Sequence, residues 1–425
     1  MILISSIGLQ WRRATRNNLC RFTHLSRKPR RPHLTDKTLG ELDQLNANNQ
    51  NFAVEAVDIL LAVATRRGAS DLHLHPRADG WEALLRIDGV LSQVAFLDGG
   101  GANNPVTRLM VLASLPTYRS SEPMEGRVIW EGNQRDDLSM RLGVYPTVHG
   151  PRAVVRFLGR DRVFDTIGSL GLPDDTTSIL TEACSYTDGA ILLSGPAGSG
   201  KTTTLYAMLR KIAADHPRRS VMTIEDPVEG LIDAISQSEL DPSGGMTLAS
   251  ALRSAVRQDS EVLLVSEIRD PETAEAAFQA SLTGHLVFSS LHAIDVAASI
   301  RRLAQFGVPV HVIRSGIRTV VSQRLLRKLC DRCGGGDNVQ DDCPACLGSG
   351  YCGRVPIAQC VTLDGQDPVG ESLFDVLEDG GSLIAMRAAA TKAGGRDLRQ
   401  KAEDLVREQV TDMAEVFRVL GGSGA

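Results

Sequence analysis

A short apolar run, Ile191-Leu192-Leu193-Ser194, passes directly into Gly195-Pro196-Ala197-Gly198-Ser199-Gly200-Lys201-Thr202. This is the complete G-x-x-x-x-G-K-[ST] pattern in the strand–loop–helix setting that gives it meaning. Glycines let the backbone turn tightly, so that successive N–H groups converge on phosphate oxygens. A helix starting near Thr202 adds the positive end of its dipole. Lys201 supplies a point charge to the outer phosphates, and the Thr202 hydroxyl can ligate Mg²⁺. The candidate nucleotide-binding set is therefore Gly195, Pro196, Ala197, Gly198, Ser199, Gly200, Lys201, Thr202 and Thr203.

A loop of this kind needs a parallel sheet behind it. Further short apolar runs lie at Val221–Ile224, Val262–Ser266 and Leu286–Ser289, separated by spans of helical periodicity. Strands alternating with helices predict a parallel α/β domain with its ligand at the carboxyl ends of the strands. Upstream the texture differs. The spacing Val54, Val57, Leu60, Leu61, Ala64 predicts an amphipathic helix. Short strands are expected at Leu72–His75, Ala83–Ile87, Arg127–Trp130, Ser139–Val144 and Arg152–Phe157, with Asp88-Gly89 as a hairpin turn. This predicts a small α/β domain over about 52–160, an α/β domain over 168–329 and a helical segment over 356–425.

Charge is uneven. Residues 1–35 hold Arg12, Arg13, Arg16, Arg21, Arg27, Arg30, Arg31 and Lys28 without an acid, and removing those eight charges from the overall −5 leaves −13 for the rest. So acidic a body argues against nucleic-acid binding, which needs a basic face. The basic start fits a mitochondrial-type transit peptide, a disordered arm or an upstream start codon. Together with the polar stretch up to Asn51, residues 1–51 are expected to be a disordered basic and polar arm. No apolar run reaches the ~20 residues that span a bilayer, so membrane contact is expected through partners only.

Cys330-x-x-Cys333 and Cys343-x-x-Cys346 present four thiolates in two turns, the spacing of a tetrahedral structural Zn²⁺. A zinc-binding insert is accordingly expected over 330–355. Clustering in close pairs argues for metal over a disulfide framework, and so for a reducing compartment. Cys352 and Cys360 lie close by in sequence.

Three further stretches share a grammar with one family. Val221–Glu229 resembles its aspartate box, Leu252–Asp270 its Walker B region, and Leu282–His292 its histidine box. Ala69–Pro76 and Leu85–Val90 are similar to the signature of its small N-terminal domain. In this order the motifs resemble the type II secretion and type IV pilus assembly ATPases, the GspE- and PilB-like proteins. The resemblance implies a RecA-like P-loop ATPase domain preceded by a small α/β, PAS-like domain, with a tetracysteine zinc insert and a helical C-terminal segment. It implies a homohexamer in the cytoplasm, peripheral to the inner membrane through platform proteins, that hydrolyses ATP with Mg²⁺ to drive pilus or pseudopilus assembly.

By the same resemblance Glu229 is the candidate general base and Glu267 holds metal-bound or attacking water. His292, more than His285, senses the γ-phosphate, and Arg127 and Arg141 reach the nucleotide as arginine fingers. Glu225, Asp226 and Asp270 are open to catalytic or structural roles. Assembly members carry the four cysteines that retraction motors generally lack. Departures are Ser266 and Ala197 at positions usually Gly and Thr, Ser139 and Glu131 near the arginines, and nine residues between the cysteine pairs. The segment before residue 52 is too short and polar for the family's usual docking domain. The alternatives are a retraction ATPase, or a nucleotide-binding regulatory subunit with weak turnover.

Overall fold

The computed structural model describes residues 39–422 except 100–103, 119–121, 133–138, 159–163, 242–243, 337–338, 340–342, 344, 347 and 364. The basic segment 1–35 lies outside the described residues. The chain divides into two compact units, Met1–Arg160 and Asp161–Ala425.

Unit 1 contains α1 (Phe52–Arg66), β1 (Asp71–Pro76), β2 (Gly80–Ile87), β3 (Val90–Asp98), α2 (Pro105–Leu112), β4 (Met124–Val128), β5 (Ser139–Thr147) and β6 (Gly150–Leu158). Its sheet runs β3-β2-β1-β6-β5-β4, antiparallel throughout. Asp88 and Gly89 make the β2–β3 turn with φ of 48° and 81°, the left-handed pair that suits a two-residue hairpin. Alternation sets the faces: Met140, Leu142 and Val144 of β5 are buried with α1 and α2, while Arg141 between them is exposed. On α1, Val57, Leu60, Leu61 and Ala64 are buried as the periodicity predicts, but Val54 is exposed. The expected arm also needs correction. Leu39–Gln44 forms a 3₁₀ turn whose Leu42 is buried in the unit 1 core, so the ordered fold begins before residue 52.

Unit 2 holds α3 (Asp174–Ala183), β7 (Gly189–Ser194), α4 (Lys201–Ala214), β8 (Val221–Glu225), β9 (Ser236–Glu239), α5 (Leu248–Ala255), β10 (Val262–Val265), α6 (Pro271–Leu282) and β11 (Leu286–Leu291). Next come α7 (Val296–Gln305), α8 (Val310–Gly316), β12 (Ile317–Leu329), β13 (Tyr351–Thr362), α9 (Pro368–Glu378), α10 (Leu383–Lys392), α11 (Leu398–Arg407) and α12 (Met413–Leu420). The sheet order is β13-β12-β7-β11-β10-β8-β9, parallel except for β13. The central strands are buried on both faces, which is why they read as unbroken apolar runs. Ile191, Leu193, Leu264 and Phe288 face α3 and α4, whereas Leu192, Leu263, Val265 and Val287 face α5–α10.

The C-terminal expectation needs amendment. Residues 351–362 form β13, a sheet strand paired along β12, so the cysteine loop closes at 350 and the helices come after the strand. The α11–α12 pair packs on this hairpin through Leu326, Ile357, Leu398, Ala402 and Val416. Glu415 of α12 is fully buried and accepts from the Arg327 backbone N at 2.9 Å, Arg327 Nη2 at 2.8 Å and Arg418 Nε at 2.6 Å.

Burial opposes the Glu415 charge, but the Arg418 and Arg327 hydrogen bonds outweigh it and hold the carboxyl below its ordinary range. A depressed folded-state pKa contributes stability above the unfolded value and loses it as pH falls through the folded one. Glu415→Ala, which strands two guanidinium groups, should cost about 3 kcal/mol at neutral pH. In urea unfolding followed by circular dichroism, the gap to wild type should narrow as the medium is acidified through the carboxylate range.

Candidate functional site

The loop after β7 folds over its own lysine. Lys201 Nζ donates to the carbonyls of Gly195 at 2.8 Å and Pro196 at 3.0 Å. Glycine is required by space: a Cβ on Gly195 would lie 2.6 Å from the Gln323 carbonyl, and one on Gly200, at φ 90°, 2.7 Å from Gln323 Nε2. Thr204 Oγ1 donates to Gln323 Oε1 at 3.0 Å, tying α4 to β12. Arg324, buried beside the loop, donates to the Gln323 carbonyl at 2.8 Å and the Ile294 carbonyl at 2.6 Å. Burial lowers the Lys201 pKa most; Glu267 opposes that, Arg324 adds to it, and Glu229 opposes it.

Parallel register brings the ends of β10 and β11 level with this loop. Leu291 pairs with Ser194, and Val265 with Ser289. Glu267, just past β10, is largely buried, and lies 3.0 Å from His292 Nε2 through Oε1 and 3.0 Å from Arg269 Nε through Oε2. His292 Nδ1 is in turn 3.2 Å from the Gly195 carbonyl. A carbonyl only accepts, so a hydrogen bond at that contact requires the proton on Nδ1. The contact at Nε2 then bonds only if a proton lies between imidazole and carboxylate.

Lys201, Glu267 and His292 are thus gathered at one place, with Glu229 close enough to act on the Lys201 charge. His285 is not. It precedes β11 and contacts the Ala280 carbonyl at 3.2 Å, a full strand of about 20 Å from the edge that carries the loop. In a parallel sheet only residues beyond the carboxyl end of a strand reach that edge, so the expectation for His285 is corrected. Asp270 caps α6, accepting from Thr273 N at 2.8 Å, and Asp226 is exposed. Arg127 and Arg141 face each other in register on the unit 1 sheet, both exposed, with Arg141 paired to Glu125. Arg156 extends the row, facing Arg141 on β6.

The donor set fits a nucleotide phosphate with a hard cation. Ser199 Oγ is buried and without a partner among the described residues. Thr202 stands in the first turn of α4, and hydroxyl and carboxylate oxygens are the ligands Mg²⁺ takes. Gln323, Arg324 and Tyr206 were not legible as site residues; the Thr204–Gln323 bond spans 119 residues, and no local spacing marks it.

A second cluster lies in the β12–β13 loop. The sulfurs of Cys330, Cys333, Cys343 and Cys346 all lie within 4.8 Å of one another, with separations of 3.9 Å (330 to 343) and 3.6 Å (333 to 346). A tetrahedron with ~2.3 Å metal–sulfur bonds has edges of about 3.8 Å. The four thiols therefore have the geometry to hold a tetrahedral metal ion. Burial raises Cys330 and takes Cys346 to about 11, whereas the backbone N–H groups of Cys346 and Ala345 bring Cys343 down to about 7.

Against known proteins, the family model described as Type II/IV secretion system protein matches residues 46–418. The Type II secretion system protein HxcR of Pseudomonas aeruginosa is 33% identical over 384 residues, covering 89% of this chain and 79% of that protein. The type IV pilus assembly ATPase TfpB of Acinetobacter baylyi is 31% identical over 404 residues, covering 90% and 68%. Among solved structures, the Legionella pneumophila ATPase DotB superposes with a TM-score of 0.65 at 21% identity, covering 87% of this chain and 96% of that one, and supports the fold alone. With the phosphate loop, the level strand ends and a match over nearly the whole chain in hand, the protein belongs to the type II/IV secretion system protein family.

Proposed function

We propose that this chain is a hexameric motor ATPase that hydrolyses ATP to ADP and phosphate and drives pilus or pseudopilus assembly, acting from the cytoplasm through inner-membrane platform proteins. One observation carries the reading: Lys201, His292 and, through His292, Glu267 converge on the carbonyl of Gly195. Phosphate oxygens would take over the Lys201 donors now spent on two carbonyls. Glu267 and Glu229 would orient the attacking water and receive its proton, while the Thr202 hydroxyl holds Mg²⁺, which supplies charge neutralisation when bound. His292 would then report a change at the phosphates to the Glu267 strand end.

Phosphoryl transfer spreads charge over three oxygens, and an arginine from elsewhere contributes orders of magnitude in rate. Arg127 and Arg141 suit that task as exposed guanidinium groups on a separate unit. Zn²⁺ in the four-cysteine cluster would be structural, because four thiolates leave no open position. That cluster favours assembly over retraction.

Lys201→Ala should lose most ATP affinity, whereas Glu267→Gln should bind ATP yet turn over at least a hundredfold more slowly. Binding by fluorescent nucleotide and turnover by phosphate release separate the two; wild-type turnover in Glu267→Gln removes that residue from the mechanism.

If the arginine acts on a neighbour's nucleotide, mixing Arg141→Ala with Glu267→Gln chains should restore turnover neither shows alone. No gain after verified subunit exchange counts against the shared site.

Elemental analysis of reduced protein should find about one zinc per chain, and Cys343→Ser should lose it while amide exchange quickens across the β12–β13 loop.

A further inference from the structure

Glu225, in the middle of the aspartate box, ends β8 and is enclosed by protein side chains. It is 2% exposed and fully occupied. Oε1 accepts from Thr223 Oγ1 at 2.6 Å and Gln237 Nε2 at 3.1 Å, and Oε2 accepts from the Tyr206 hydroxyl. Tyr206 belongs to α4, the helix that begins at Lys201, and is 4% exposed. Its oxygen also accepts from the backbone N of Glu229 at 3.3 Å. From the other side, Gln237 Nε2 donates to the Gly230 carbonyl at 3.0 Å, and Gln237 Oε1 accepts from Ile232 N at 2.6 Å.

The loop carrying Glu229 thus has no regular structure of its own, yet its backbone is bonded at 229, 230 and 232 to two side chains that both end on Glu225. We infer that Tyr206 is a positioning residue for hydrolysis: its hydroxyl, oriented by the buried Glu225 carboxylate, fixes the Glu229 backbone relative to the helix that carries Lys201. Glu225 is on this account the anchor of the arrangement and contacts neither water nor metal in the reaction. The inference rests on the reading of Glu229 as general base.

The chemistry is consistent with a permanent donor. Burial, then the bond to Glu225, raises the Tyr206 pKa well above its ordinary value, so the hydroxyl keeps its proton throughout the working range. A 1 Å error in placing a base is enough to cost orders of magnitude in rate, whereas ground-state phosphate contacts made by Lys201 would be untouched.

The test is Tyr206→Phe, which removes one oxygen and keeps the ring. The kcat for ATP should fall about tenfold, as expected for one lost positioning hydrogen bond, with KM and nucleotide affinity unchanged. Gln237→Met, reaching the same loop from the edge strand β9, should show the same split and serves if Tyr206→Phe is poorly folded. A merely structural tyrosine would lower the melting temperature and leave the kcat of the folded fraction intact, and that result overturns the inference. A cycle with Glu229→Gln separates the two readings. If Tyr206 acts through Glu229, adding Tyr206→Phe to Glu229→Gln should give no further loss; a further tenfold loss overturns the positioning role while leaving Glu229 in place. Wild-type turnover in Glu229→Gln itself would remove the general base, and the inference with it.

Discussion

A single carbonyl oxygen, that of Gly195, accepts from Lys201 Nζ and lies in contact with His292 Nδ1. The groups that meet there come from the start of α4 and the end of β11, and the carboxylate of Glu267 joins through the imidazole from the end of β10. Such a meeting is possible only because the strands are parallel and their ends are level. The register that pairs Leu291 with Ser194 and Val265 with Ser289 sets the reach of each side chain. Since side-chain direction alternates along a strand, a one-residue slip of β11 would invert its faces as well as move His292. The apolar packing of Val287 and Phe288 on opposite sides of the sheet holds that register. Core packing and the placement of the site residues therefore depend on the same strands.

Two sets of buried polar groups in this structure differ in how they are satisfied. Glu225 and Glu415 are enclosed carboxylates whose oxygens are met by several donors each. Glu415 bonds across 88 residues to β12, Glu225 across 19 and 12 residues to α4 and β9, and an unmet charge at either place would be severely destabilising. By contrast Ser194, Ser199 and Ser322, on β7, β12 and the loop of the candidate site, keep buried hydroxyls without partners among the described residues. An unsatisfied buried hydroxyl costs free energy, and such costs tend to collect where a ligand completes the structure.

Most of this was legible where signals are local. The phosphate loop, the apolar runs of β7, β8, β10 and β11, the Asp88-Gly89 turn and the cysteine pairs each declare themselves within about ten residues. β9 was missed because Ser236–Glu239 is a polar edge strand with no apolar run. β12 and β13 were missed because their pairing straddles the cysteine loop and because Gln323, Arg324 and Arg327 break up the apolar pattern with groups that bond to distant partners. The Tyr206–Glu225–Gln237 network joins three successive elements, so no window as short as a motif contains it. His285 was misread for a different reason: a motif gives spacing, whereas the direction of the strand decides which of its ends meets the ligand.

Sheet order also has a bearing on when the site comes into being. β7 lies between β11 and β12, both of which come later in the chain after intervening helices. The contacts that shape the loop close spans of 97 and 119 residues. During synthesis the whole phosphate-loop sequence is therefore made long before the strands that flank it, and these non-local pairings carry the loop-closure entropy that slows folding. A nascent chain ending before Ile317 carries the motif without the cradle: Gln323, which packs against both Gly195 and Gly200, has not yet been made. The Gln323 side of the loop's cradle is thus completed late, when β12 joins the sheet.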